Sequence, residues 1–163
     1  MKIAIISDTH KVLGKLVASL RRQAPDCVIH LGDGVREAAL LKEELELKVY
    51  AVKGNMDSAD DVMEIPGIKE TMVLELDGIR FFLTHGHRFG VKEDGAALLA
   101  EARRQKAEIV LHGHTHVFRD DRMGDMRVIN PGSPVLPQNG DKAGYVIFYT
   151  ETGRLERIFL EES

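Results

Sequence analysis

At 163 residues the chain has room for one domain of ordinary size and would be cramped as two. Hydrophobic residues at 44% and charged residues at 29% are globular proportions, which excludes a disordered, collagenous or fibrous polymer. Twenty-two basic against 26 acidic residues leave a net charge of −4 with no basic arm, so electrostatic capture of long nucleic acid is disfavoured. Residues 1–163 are therefore expected to form a single domain.

The elements follow in order. Ile3 to Ile6, Cys27 to Leu31 and Val49 to Val52 are short, uniformly apolar runs, the pattern of buried parallel strands. Between them Leu13, Leu16, Val17 and Leu20, then Ala38, Leu41 and Leu45, recur at helical spacing and predict two amphipathic helices. Met72 to Leu76 and Ile79 to Leu83 flank Asp77-Gly78, a strong hairpin signal. A helix over about 92–106 leads to a strand at Ile109 to Leu111. The last third holds short strands at Phe118–Met123, Met126–Ile129, Tyr145–Tyr149 and Leu155–Leu160, expected to pair antiparallel. The fold class expected is α/β: a four-layer α/β/β/α sandwich of two mixed β-sheets flanked by helices.

The one cysteine, Cys27, offers neither an internal disulfide nor a thiolate metal site, and is expected in the core. No apolar run reaches the roughly 20 residues of a membrane span, and Met1-Lys2-Ile3 opens directly into a strand. Cytoplasmic localisation is the expectation.

Five segments place polar, metal-type ligands directly after predicted strands: Asp8-Thr9-His10, Gly32-Asp33, Gly54-Asn55, His85-Gly86-His87 and Gly113-His114-Thr115-His116. In an α/β sheet the carboxyl ends of the strands are where ligands bind, so segments a hundred residues apart can converge on one rim. Seven donors, Asp8, His10, Asp33, Asn55, His85, His114 and His116, are too many for one tetrahedral ion and suit two ions sharing a carboxylate. Carboxylate, imidazole and amide without thiolate point to manganese, iron, zinc or nickel. Taken singly, Asp8 and Asp33 would serve equally as helix N-caps and Asn55 as a turn residue. His30, inside an apolar run, reads as a buried structural imidazole, and His112 as a support for the segment after it.

The order D-x-H, G-D, G-N, H-G-H, G-H-T-H resembles the calcineurin-like metallophosphoesterase superfamily over essentially the whole chain. The short length, Gly54-Asn55-Met56-Asp57 and Asn130-Pro131-Gly132-Ser133 resemble its small prokaryotic YfcE-like phosphodiesterase branch. The resemblance implies one metal on Asp8, His10, Asp33 and His116 and the other on Asp33, Asn55, His85 and His114, with Asp33 bridging. It implies a manganese-type pair, with Ni²⁺, Zn²⁺, Fe²⁺ or Co²⁺ as substitutes, that hydrolyses a small phosphodiester through a bridging hydroxide. Many members carry a histidine where this chain has Met56, and a thioether donates no proton. Activity should therefore favour diesters with good leaving groups and be weak on monoesters, with Asn55 orienting substrate and His87 as substitute acid. Alternatives are a nuclease on short nucleic acids and a protein-interaction scaffold like the retromer subunit of this fold. Exposed strand edges are expected to support a homodimer or homotetramer.

Overall fold

Alternation along the first strand shows how the layers are built. In a computed structural model that describes residues 1–160, β1 (Lys2–Ile6) turns Ile3 and Ile5 toward one apolar cluster and Ala4 and Ile6 toward another. Such period-two alternation with both faces buried requires cover on both sides of the sheet. β2 (Cys27–His30) and β3 (Lys48–Ala51) lie parallel beside β1, joined through α1 (Leu16–Gln23) and α2 (Val35–Leu45). Leu16, Leu20 and Leu41 of these helices close the outer face with Val28, Tyr145 and Ile147.

The second sheet begins with a hairpin of β4 (Thr71–Leu76) and β5 (Ile79–Thr84), in register Leu76↔Ile79. Its two turn residues, Asp77 at φ 53° and Gly78 at φ 80°, are both left-handed, as the favoured two-residue hairpin turn demands. β6 (Ile109–Leu111), β7 (Phe118–Met123) and β8 (Met126–Pro131) complete a sheet of order β4-β5-β6-β8-β7. β9 (Gly144–Tyr149) and β10 (Leu155–Phe159) return to the first sheet, order β10-β9-β1-β2-β3. Helix α4 (Ala96–Arg104) covers the outer face of the second sheet through Leu98 and Ala102 against Phe82, Val110 and Val128. Between the sheets Ile3, Ile5, Ile29 and Leu31 meet Phe81, Leu83, Leu111 and Ile129. The three clusters are the three interfaces of an α/β/β/α sandwich.

Several local expectations are corrected. The helix expected over 92–106 starts only at Ala96: Gly95 sits at φ 69°, outside helical geometry, and Asp94 Oδ1 accepts the Ala96 N–H at 3.0 Å. β8 pairs antiparallel with β7 but parallel with β6, so the last third is not wholly antiparallel. A short α3 (Ala59–Val62), with a capping box between Ser58 and Asp61, was not foreseen. Met63, just past its end, is 76% exposed. The last strand ends at Phe159, and residues 161–163 of the expected domain lie outside the described residues. No helix among the described residues is long and apolar enough to cross a membrane.

Cys27 lies in the inter-sheet core, where burial, with Asp26 adding to it, pushes its thiol up to about 11. The thiolate is the reactive form, so raising the pKa suppresses reaction at every pH below that value. A disulfide reagent at pH 8 should leave the native protein untouched and titrate one thiol in denaturant; rapid labelling of native protein would contradict this packing.

Candidate metal centre

The rim where β1, β2 and β3 end faces the ends of β5 and β6, and polar bonds staple the two sheets there. His85 Nδ1–H donates to Leu31 O at 2.8 Å, Ser133 Oγ donates to Asp8 O at 2.8 Å, and His114 N–H donates to Asp8 Oδ2 at 3.1 Å. Two loops from the first sheet and three from the second are thus held within hydrogen-bond reach.

At the centre stand two buried carboxylates, each with one oxygen engaged by the protein and one turned inward. Asp8 Oδ2 accepts from Ser7 Oγ at 2.6 Å and from His114 N–H, while Oδ1 has no hydrogen-bond partner among the described residues. Asp33 Oδ1 accepts from Met56 N–H at 2.8 Å, leaving Oδ2 toward the centre. Around the inward oxygens lie three imidazole nitrogens. Asp8 Oδ1 is 3.2 Å from His116 Nε2, 3.6 Å from His10 Nε2 and 3.8 Å from His85 Nε2; Asp33 Oδ2 is 3.3 Å from His85 Nε2 and 3.7 Å from His10 Nε2.

The imidazoles are aimed. His85 and His116 each donate Nδ1–H to a backbone carbonyl, Leu31 O and Leu136 O, the latter at 2.7 Å, which leaves the Nε2 lone pair facing inward. Ligating histidines are commonly oriented this way. His85 Nε2 is buried without a hydrogen-bond partner among the described residues, and His10 Nε2 and His116 Nε2 face each other at 3.1 Å. Burial opposes charge on both carboxylates, yet His10 and His116 hold Asp8, and His85 holds Asp33, below the usual carboxylate range. Burial likewise opposes a charge on His85, but Asp33 and Asp8 raise its pKa; Asp8 raises that of His116. Orphaned carboxylate oxygen and orphaned imidazole nitrogen converging on one point are a donor set for divalent cations. Among the described residues two groups meet the spacing for an ion, Asp8/His10/His116 and Asp8/Asp33/His85. Asp8 belongs to both, and Asp33 Oδ2 lies between His10 and His85.

The backbone is strained where the donors sit. Asp8, His10, Asp33, His114 and His116 all have left-handed φ, between 44° and 74°. For residues with a Cβ this costs free energy, and clustering at one site marks a constellation held in place by its surroundings. Gly54 is required by closeness: a Cβ there would stand 2.1 Å from Asp33 Oδ1.

Of the other residues singled out from sequence, His114 is partly buried, its ring 5.1 Å from that of His85, and burial lowers it to about 4, with His85 and Lys92 adding to the effect. Asn55 is exposed on the loop after β3. His87 lies beside the cluster, its ring 5.6 Å from His85 and 6.3 Å from His114, with Nδ1 buried and unpartnered. Met56 is 64% exposed. His30 is a structural imidazole: Nδ1 accepts Gly32 N–H at 3.1 Å, so Nε2–H faces Thr9 Oγ1 at 3.0 Å, and Thr9 donates to Glu37. Of the basic residues flanking the loops, Arg88 pairs with Glu70 and Arg36 with Asp61.

Two supports were missed. Asp57, 9% exposed, accepts four backbone N–H groups: Asp33 and Gly54 on Oδ2, Gly34 and Val35 on Oδ1. It caps α2 from a distant loop and locks the Asp33 and Asn55 loops together. Glu37, buried on α2, accepts from Thr9 Oγ1 and from Lys11 N–H, fixing the loop that carries Asp8 and His10. Nothing in the sequence around either acid separates it from a solvated one.

Two openings flank the carboxylates. A cleft of about 800 Å³ is lined by His114, Thr115, His116, Lys92, Arg119 and Gln138, among others. A smaller one beside His10 and Asp33 is lined by Lys11 and Met56.

A family model described as the calcineurin-like phosphoesterase superfamily domain matches residues 1–153. Phosphodiesterase MJ0936 of Methanocaldococcus jannaschii is 32% identical over 81% of this chain and 83% of its own. The structure of YfcE, a phosphoesterase from E. coli, superposes with a TM-score of 0.73 at 26% identity, covering 99% of this chain and 100% of that one. Vps29 of Entamoeba histolytica, determined with Zn²⁺, shares the fold at a TM-score of 0.74 and 22% identity, over 98% and 99% of the two chains. With the match spanning nearly the whole length and the donors converging as above, this chain belongs to the calcineurin-like phosphoesterase superfamily, whose members use divalent metals.

Proposed function

We propose that this protein is a phosphodiesterase that holds two divalent cations on one rim of its sandwich and hydrolyses small phosphodiesters. The observation that carries the reading is the pair of inward carboxylate oxygens, Asp8 Oδ1 and Asp33 Oδ2, facing imidazole nitrogens that make no hydrogen bond outward. Asp8, His10 and His116 would hold one cation; Asp33 and His85, joined by Asn55 and His114, would hold the other. Asp33 Oδ2, within 3.7 Å of His10 and 3.3 Å of His85, suits a shared ligand. When bound, such a pair supplies Lewis-acid charge and an activated water. Manganese is the proposed metal, with nickel, zinc, iron or cobalt able to occupy the same donors.

The chain's own residues then set which ester is cleaved. Asn55, exposed on the loop after β3, would present its amide N–H to a phosphoryl oxygen. Met56 offers no proton to a departing alkoxide, and His87, beside His85 and His114, would substitute for it. A leaving group that departs readily as an anion is favoured, as in an activated diester. A scaffold role of the Vps29 kind is supported here by shared fold alone, and cleavage of short nucleic acids is the same chemistry on another diester. The remaining proposals are one domain over 1–163, a cytoplasmic location, and a homodimer or homotetramer.

The test is hydrolysis of bis(p-nitrophenyl) phosphate by chelator-treated protein as Mn²⁺ is returned, with p-nitrophenyl phosphate in parallel. Activity should return with the metal and favour the diester. No turnover with Mn²⁺, Ni²⁺, Zn²⁺ or Co²⁺ would overturn the proposal.

A further inference from the structure

The wall of the larger cleft carries a cation that the chemistry above leaves unused. Arg119, on β7, lines the cleft together with His114 and His116. Its Nε–H donates to Asp121 Oδ2 at 2.7 Å, and its Nη1 meets His112 Nε2 at 3.4 Å. His112 is 1% exposed and its Nδ1–H donates to Gly113 O at 3.0 Å, so its Nε2 can only accept. The guanidinium is therefore gripped from two sides, one grip coming from the residue that leads into the Gly113–His116 segment. A guanidinium has five N–H donors in a planar fork. Two are used, and the remaining three have no partner among the described residues, although the side chain is only 26% exposed.

The surroundings suit an anion of some size. Lys92 lines the same cleft and is close enough to His114 to act on its charge. Two acids share that rim: Asp94 Oδ1 accepts the Ala96 N–H at the start of α4, and Glu93 lies over Gly90. Gln138 adds an amide. The volume of about 800 Å³ falls in the range that encloses a nucleotide-sized molecule and far exceeds what one phosphate needs.

We infer that Arg119 is a specificity-determining residue that receives a second anionic group of the substrate, so that the preferred diester carries a terminal phosphate on one arm. The inference rests on the phosphodiesterase reading, and places the scissile phosphate at the metal ligands and the second phosphate on the open fork of Arg119. The fork's planar geometry matches phosphate in a way a lysine ammonium does not.

The probes are the dinucleotides pdTpdT and dTpdT, which differ only in the terminal phosphate. With Mn²⁺-loaded wild type, kcat/KM should favour pdTpdT by about 10- to 100-fold, the scale of charged hydrogen bonds, with the difference in KM. In Arg119→Ala the ratio of the two kcat/KM values should fall toward one, and Arg119→Lys should recover only part of it. Calorimetry on chelator-treated wild type should show the same order of binding. No preference in wild type, or a ratio unmoved by either substitution, would overturn the inference whatever the absolute rates. Absence of all diester turnover with every metal would overturn the underlying reading, and the calorimetric preference would still decide the subsite.

Discussion

Replacing Asp33 by asparagine should remove at least about 100-fold of the affinity for Mn²⁺, since loss of a direct ligand exceeds the cost of losing a ligand's supporting partner. The amide can keep its oxygen on Met56 N–H, where Asp33 Oδ1 now accepts at 2.8 Å. Its Nδ2 then points N–H donors at the place where Oδ2 stood 3.3 Å from His85 Nε2, presenting partial positive charge to an incoming cation. Diesterase activity should fall with the metal, while the fold persists because only the inward atom has changed. Wild-type Mn²⁺ binding by calorimetry in a folded D33N protein would show that Asp33 is not a ligand.

Asp57→Asn should cost stability as well as metal. The carboxylate accepts two N–H groups on each oxygen, from Asp33 and Gly54 at 2.9 and 2.8 Å and from Gly34 and Val35 at 2.9 and 3.1 Å. Whichever way an amide is placed, two of those donors face an NH₂ and lose their acceptor. Leaving two buried donors unsatisfied costs on the order of 3 kcal/mol. For a chain of this length that is roughly 10 °C in the thermal midpoint. Loss of the lock should also loosen the Asp33 and Asn55 loops, so metal affinity measured well below the new midpoint should fall too. An unchanged midpoint would show that water or rearrangement replaces the cap.

Much of this arrangement was legible because it depends on short-range pattern. The apolar runs at β1, β2 and β6 are buried strands, and alternate β1 residues supply two different interfaces. Asp77-Gly78 specifies its turn through two left-handed residues. The strand-end positions of the metal-type residues follow from the same reading, and the parallel strands carry five of them onto one rim. What escaped depends on distance in sequence. Asp57 binds backbone 22 to 24 residues away, and nothing local separates it from a solvated acid. The pairing of β8 with both β6 and β7 is a choice of neighbours that its own residues do not encode. Gly95 illustrates the opposite lapse, a local signal for a helix start that the apolar spacing of the following residues masked.

The most direct test of the central claim is the anomalous scattering of Mn²⁺ in crystals of the metal-loaded protein. Two peaks should appear, one within coordination distance of Asp8, His10 and His116 and one of Asp33 and His85, with a carboxylate shared between them. A single peak, or manganese bound elsewhere, would contradict a two-metal centre built on these residues.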